Sequence, residues 1–267
     1  MPDRTNPFLI LQSIGKTFAS GVTALDQVNL TVNEGDFMSL LGPSGCGKST
    51  ALRIIAGLSS PTSGVVDWRG PPLQQNDIGF VFQEPTLLPW ASVYDNVWLP
   101  LRLRGVSQKD AEPQIAEVLE RVHLTGFETA VPRELSGGMK MRVSIARGLV
   151  TRPRILLMDE PFAALDEITR FKLNNDLLEL WEERGFTVIF VTHSVFESVF
   201  LSNRITVMAA RPGRVFDEVK VDVPYPRNQT FRTSPEYAAL CRKTSDVLVG
   251  AINATSKDRE AVTNAGS

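Results

Sequence analysis

From Phe8 to Val32 apolar and polar positions alternate, with Val28, Leu30 and Val32 on one side of an extended chain and Asn29, Thr31 and Asn33 on the other. Gly64 to Trp68 predicts a further short strand, and together these segments predict a small antiparallel layer. Three runs behave differently. Phe37 to Leu41, Arg154 to Met158 and Thr187 to Thr192 are short and almost continuously apolar, as strands buried on both faces of a parallel sheet must be. Ile78 to Phe82 alternates again. Helical periods fill the gaps: Thr50 to Leu58, Lys109 to Val122, and Asp166 to Arg184, the last ended by Gly185 as a suitable C-cap. Beyond Val215 come extended residues with Pro224 and Pro226, a helix over Pro235 to Val249, and a polar tail from Asn253 to Ser267 expected to be mobile.

The alternation of buried strands with helices predicts an α/β fold, and what lies at the strand ends gives it chemistry. Directly after Phe37 to Leu41 stands Gly42-Pro43-Ser44-Gly45-Cys46-Gly47-Lys48-Ser49-Thr50, the GxxxxGK[ST] pattern in its strand, loop and helix context. Gly42, Gly45 and Gly47 let the backbone turn tightly, so that successive N–H groups aim at phosphate oxygens. Lys48 adds a cation for the β- and γ-phosphates, Ser49 a hydroxyl for Mg²⁺, and the following helix its amide donors and positive dipole end. Cys46 lies at that helix N-terminus, where a thiolate is favoured and where alkylation is expected to block nucleotide binding by bulk.

Asp159 and Glu160 follow the apolar run Arg154 to Met158, so two carboxylates emerge at a sheet edge. Asp159 is placed to hold Mg²⁺. Glu160 is placed to take a proton from an attacking water or merely to orient it. His193 stands at the end of Thr187 to Thr192, an address for a γ-phosphate or water contact as well as for a structural histidine. His123, in the amphipathic stretch Glu117 to Leu124, is given no role. Gln83 follows the Ile78 to Phe82 strand and offers an amide oxygen to Mg²⁺ or the lytic water. Phe18 is either an adenine-stacking face or core. Leu135-Ser136-Gly137-Gly138-Met139 is a second glycine loop of the kind that faces phosphate. Trp90, Val93, Tyr94, Val97 and Trp98 form an apolar cluster that either packs a helical lobe or makes a groove for a partner helix.

Composition narrows the partners. A chain of 267 residues with 43% hydrophobic content supports one large or one two-lobed domain, and a net charge of −2 gives no basic footprint for nucleic acid. No apolar run reaches the ~18 residues of a spanning helix, and Met1 to Pro7 lacks a secretory apolar region, so a cytosolic chain is expected. With only Cys46 and Cys241, and Cys46 inside the phosphate loop, a structural disulfide is not expected. The Asn-x-Ser/Thr matches at Asn29, Asn228 and Asn253 are then compositional.

The ordered set Phe18, the phosphate loop, Gln83, Leu135 to Gly138, Asp159-Glu160, Ala163-Ala164-Leu165-Asp166 and His193 resembles the ATP-binding cassette ATPases over about residues 8 to 215. The resemblance implies a RecA-like P-loop NTPase core with a small antiparallel β layer and an inserted α-helical subdomain. On that pattern residues 8–220 form the cassette, 87–142 the helical subdomain, and 221–267 a C-terminal extension. It implies ATP and Mg²⁺ as ligands and a head-to-tail dimer in which Ser136, Gly137 and Gly138 of one copy close on the nucleotide held by Lys48 of the other. Ala163 to Asp166 resembles the D-loop. Three departures leave the phosphate ligands intact: Met139 where Gln is commonest, Phe18 where Tyr is, and Ala163 where Ser is usual.

The form Leu-Ser-Gly-Gly-Met, Phe82 to Trp90 and Pro224 to Arg227 look like importer ATPases for nitrate, sulfonates, taurine and similar small anions. That likeness implies permease subunits, indirectly a solute-binding protein, and a peripheral place on the cytoplasmic face of the membrane. The competing reading is a soluble cassette ATPase with a regulatory or repair role. The insert between Gln83 and Leu135 is too short for the coiled-coil hairpin of repair ATPases, and no second P-loop is present to suggest a tandem-cassette factor.

Overall fold

The computed structural model describes residues 6–74 and 77–265. They fall into two compact units, one made by the chain up to Pro72 together with everything from Thr187 on, the other by Leu73 to Phe186.

In the first unit β1 (Pro7–Thr17) pairs antiparallel with both β2 (Thr23–Asn33) and β4 (Ser63–Trp68), in the order β2-β1-β4. The alternation of the sequence is met: Val28, Leu30 and Val32 are buried while Asn29 is exposed. The parallel core strands follow the other rule. β3 (Phe37–Leu41) lies between β7 (Thr187–Thr192) and β8 (Arg204–Ala209), parallel to each, and every residue of β3 and β7 is buried. β9 (Arg214–Lys220) closes this edge antiparallel to β8. Entry into β3 is pinned by Asp36, whose buried carboxylate accepts from the Asn33 amide at 2.9 Å, Asn203 Nδ2 at 2.8 Å and Arg204 at 2.9 Å. A buried charge so fully bonded is tolerated where an unpaired one would cost several kcal/mol, on the order of 3–5 for a broken pair. The helices of this unit are α1 (Lys48–Ile55), α6 (Val195–Leu201), α7 (Gln229–Arg232) and α8 (Pro235–Ala265), the last lying against α6, β8 and β9.

The second unit holds the parallel pair β5 (Ile78–Val81) and β6 (Ile155–Asp159), and four helices: α2 (Val93–Leu103), α3 (Gln108–Arg121), α4 (Gly137–Leu149) and α5 (Glu167–Arg184). α4 is the hub, touching α2, α3, α5 and β5. Its middle explains why: Met141, Val143, Ile145, Ala146 and Leu149 are all buried.

Several boundaries differ from expectation. α1 starts at Lys48, before the apolar period, because Gly47 at φ 90° ends the loop there, and it stops at Ile55, before Gly57 turns left-handed. β6 takes in Asp159, whose backbone stays on the ladder. The C-terminal helix does not stop at Val249 but runs on to Ala265, so the polar stretch from Asn253 continues the helix; residues 266 and 267 of the expected mobile tail lie outside the described residues. The aromatic cluster is divided: Val93 and Val97 are buried on α2, whereas Trp90 precedes the helix and is 77% exposed. Among the described residues no helix is long and apolar enough to cross a membrane.

Candidate nucleotide site

The phosphate loop leaves β3 at Leu41, which is paired with Thr192 of β7, so residues 42 to 47 and His193 issue from neighbouring strands at the same carboxyl edge. This is where an open α/β sheet receives its ligand. Gly45 and Gly47 have φ of 77° and 90°, the left-handed region. At Gly47 glycine is also required by space: a Cβ would stand 2.5 Å from Leu25 Cδ2 and 2.8 Å from the Ala24 carbonyl oxygen. Lys48 is buried, its ammonium folded back to donate to the carbonyls of Gly42 at 2.8 Å and Pro43 at 3.1 Å. These are neutral acceptors, and phosphate oxygens are stronger ones for an ammonium.

Cap chemistry separates α1 from α2 to α7. The N-termini of α2, α3, α4, α5 and α6 are each capped by a side chain, Ser92, Ser107, Ser136, Asp166 and Ser194 respectively. α1 has Gly47 at that position and no side-chain cap. The first turns of α2, α3, α5 and α6 each carry an acidic residue; those of α1 and α4 carry none. A carboxylate there would repel a bound anion; α1 and α4 lack one, as does the four-residue α7. The start of α1 therefore suits a phosphate by backbone geometry, cap and charge together.

Cys46 is a correction. It is fully buried, and burial pushes its thiol pKa up, outweighing the nearby Lys48 ammonium that acts to lower it. Burial of the side chain thus works against the thiolate expected from its position at a helix N-terminus.

His193 is exposed at the end of β7. The residues on either side of it are fixed: Thr192 Oγ1 donates to Glu197 Oε2 at 2.5 Å, the Ser194 amide donates to Thr192 Oγ1 at 3.0 Å, and Ser194 Oγ caps Glu197 N. Phe18 sits at the tip of the hairpin joining β1 and β2, 44% exposed, with Lys16 Nζ 5.5 Å from its ring centre. It is a surface aromatic and not core.

In the second unit Asp159 ends β6 and is buried, while Glu160, the next residue, has φ 46°. The left-handed turn at Glu160 takes its side chain out of the strand's alternation as β6 ends; a non-glycine residue held there stores about 1 kcal/mol or more. Gln83 is exposed in the loop after β5. That loop is held by a residue without a motif to announce it. Arg147 of α4 donates to the carbonyls of Pro85 at 2.7 Å and Thr86 at 2.9 Å and to Thr86 Oγ1 at 2.9 Å. Arg147 therefore ties the Gln83 loop to the helix that begins at Ser136. The only sequence signal was a charge set among Ile145, Ala146, Gly148 and Leu149, all buried.

At the start of α4 Ser136 Oγ accepts from the Met139 amide at 3.2 Å, leaving the Gly137 and Gly138 amides as first-turn donors. Gly138 is pressed on α5: a Cβ there would stand 2.5 Å from Thr169 Cγ2. Asp166, the α5 cap, accepts from the Thr169 amide at 3.0 Å, and hydrogen bonds from Thr169 hold its carboxyl below the usual range. Arg170 donates to the Leu165 carbonyl. The D-loop segment and the Ser-Gly-Gly turn are thus braced on the same helix within one chain.

A P-loop on a parallel sheet, a carboxylate pair at a strand end and a Ser-capped Gly-Gly helix start define an ATP-binding cassette. The ABC transporter family model matches residues 25–163. The chain is 46% identical over 254 residues to an uncharacterized ABC transporter ATP-binding protein of Methanocaldococcus jannaschii, covering 92% of this chain and 93% of that one. It is 44% identical over 236 residues to the aliphatic sulfonates import ATP-binding protein SsuB of Bacillus licheniformis, covering 85% and 89%. Its fold matches the dimeric structure of a post-hydrolysis state of the ATP-binding cassette MJ0796 bound to ADP and Pi, with TM-score 0.72 and 37% identity over 81% of this chain and 100% of that one. The chain belongs to the ABC transporter ATP-binding family and is an ATPase of that class.

Proposed function

We propose that this chain is the ATPase subunit of an importer for a small anionic solute, a sulfonate in the first instance, with nitrate and taurine in the same chemical class. Its sulfonate-importing relatives support the solute class. The observation that carries the ATPase chemistry is the start of α1 behind the phosphate loop, which has neither a side-chain cap nor an acidic residue in its first turn.

In this reading the amides of residues 42 to 50 cradle the α- and β-phosphates, Lys48 turns from the Gly42 and Pro43 carbonyls to the β- and γ-phosphates, and Phe18 stacks on adenine. Ser49, Gln83 and Asp159 would supply hard oxygen ligands for Mg²⁺, which when bound would offset charge on the transferred phosphoryl group. Glu160 orients and deprotonates the attacking water, and His193 holds the γ-phosphate. Ser136, Gly137 and Gly138 close on the nucleotide of a second, identical chain, and closure drives permease subunits that receive solute from a binding protein. The ATPase then sits peripherally on the cytoplasmic face of the membrane. The helical segment favours this over a soluble repair ATPase: α2 and α3 have 11 and 14 residues, far short of a long hairpin.

Trp90, an exposed aromatic just before α2, is offered to a permease helix. A tagged copy purified from membranes is expected to bring down a polytopic membrane protein, with recovery reduced in Trp90→Ala while ATP affinity stays. Retrieval of no membrane protein overturns the transport reading.

A further inference from the structure

Arg227 is the most heavily bonded side chain in the first unit, and nothing in the nucleotide chemistry uses it. It is 4% exposed. One guanidinium nitrogen donates to the carbonyls of Val199 at 3.0 Å, Phe200 at 3.0 Å and Ser202 at 2.9 Å; another donates to those of Val221 at 3.2 Å and Val223 at 2.9 Å. The guanidinium carbon lies 4.1 Å from the centre of the Tyr225 ring. A buried guanidinium is strongly disfavoured unless it is hydrogen-bonded, and here five main-chain carbonyls accept, three at the C-terminal end of α6 and two, those of Val221 and Val223, just after β9. The carbonyls at the end of α6 are ones a helix leaves without internal partners, and a cation there is favoured by the helix dipole.

The same segment grips α6 elsewhere. Tyr225 Oη donates to the Leu201 carbonyl at 2.8 Å, Tyr237 Oη to the Phe196 carbonyl at 2.9 Å, and the Arg232 guanidinium lies 3.4 Å over the Phe200 ring. α6 is only seven residues long and begins two residues after His193. Its other end is fastened to the histidine's neighbours through Glu197, by the Thr192 and Ser194 bonds already described. A two-turn helix tied at both ends transmits displacement as a rigid rod.

We propose that residues 224–237 are a clamp that sets the position of His193 through α6, with Arg227 and Tyr237 as positioning residues for ATP hydrolysis. This rests on the reading that His193 contacts the γ-phosphate. The C-terminal extension then governs turnover without touching nucleotide.

The chain has two histidines, so its imidazole NMR spectrum holds one signal set for His193 and one for His123 as an internal control. In the full-length chain Arg227→Met is expected to move the His193 signals and leave those of His123 in place. It should lower kcat by about tenfold to a hundredfold, the scale of a misplaced reacting group, with the ATP Kd changed less than about threefold. In a His193→Ala background Arg227→Met should cause no further loss, since groups acting as one unit are non-additive. Tyr237→Phe removes one hydroxyl and serves if Arg227→Met does not fold; it should shift the same signals and slow turnover about two- to fivefold, as expected for one neutral hydrogen bond. Unmoved His193 signals in a folded variant, or equal losses in both backgrounds, overturn the clamp. A His193→Ala chain that hydrolyses ATP at the parental rate while Tyr237→Phe still moves the His193 signals overturns instead the γ-phosphate reading and the catalytic part of the proposal.

Discussion

At the residue scale, position in a motif and position in space give different chemistry. Cys46 shows it best: a helix N-terminus lowers a thiol pKa, yet burial acts in the opposite direction and wins. Cys241 is buried too, and burial raises its thiol as well. The thiolate is the reactive form, and a raised pKa shrinks its fraction at every pH below that value. Both cysteines are therefore expected to react with a thiol-specific disulfide reagent at neutral pH far more slowly in the native chain than in denaturant, by about a hundredfold or more if reaction needs local opening of about 3 kcal/mol. Raising the pH toward 9 should recover only part of the difference, because access is limiting as well as ionisation. Fast stoichiometric labelling of the native chain at pH 7 would show that the phosphate loop opens readily.

At the element scale, the helix starts are where sequence and packing meet. Ser136 caps α4 as its position in a Ser-Gly-Gly turn suggests, but why the third residue of that turn must be glycine is a matter of Thr169 on α5. Alanine at 138 gains up to about 1 kcal/mol of helix propensity over glycine. Against that stands a contact with a β-branched side chain whose χ1 is stiff, and overpacking of this kind costs about 1–3 kcal/mol. Gly138→Ala is therefore expected to lower Tm by a few degrees in thermal unfolding, and Thr169→Ala in the same chain should restore it. A Gly138→Ala chain as stable as its parent would mean that the two helices part easily at this point. Arg147 makes the same point for the Gln83 loop, which owes its shape to a guanidinium more than sixty residues away.

At the scale of the whole molecule, the proposed two-chain site uses the starts of α1 and α4, neither of which carries an acidic residue in its first turn. A helix end prepared for an anion, on a face where nothing in its own first turn neutralises it, is suited to a ligand brought by a second copy. Blocking hydrolysis should hold that contact. Glu160→Gln keeps the shape and removes the proton acceptor, so with ATP and Mg²⁺ it is expected to run as a dimer in size-exclusion chromatography, with turnover reduced on the order of 10²–10⁴-fold. ADP should return it to monomer. A variant that stays monomeric at saturating ATP would count against the two-chain site.

The chain's own order of residues was enough for the alternating and the buried strands it marked, for the phosphate loop's place after β3, and for the address of Asp159, Glu160 and His193, because each depends on local rules: a period of two or 3.6, a buried parallel strand without alternation, a glycine where the backbone turns left-handed. Tertiary structure alone decided what depends on neighbours distant in sequence. Burial pushed the Cys46 thiol pKa up, Gly138 met Thr169, Arg147 reached Pro85 and Thr86, and Arg227 gathered five carbonyls, three at the end of α6 and two just after β9. Side-chain burial and long-range hydrogen bonds have no period along the chain, so no pattern of residues announces them before the chain is folded.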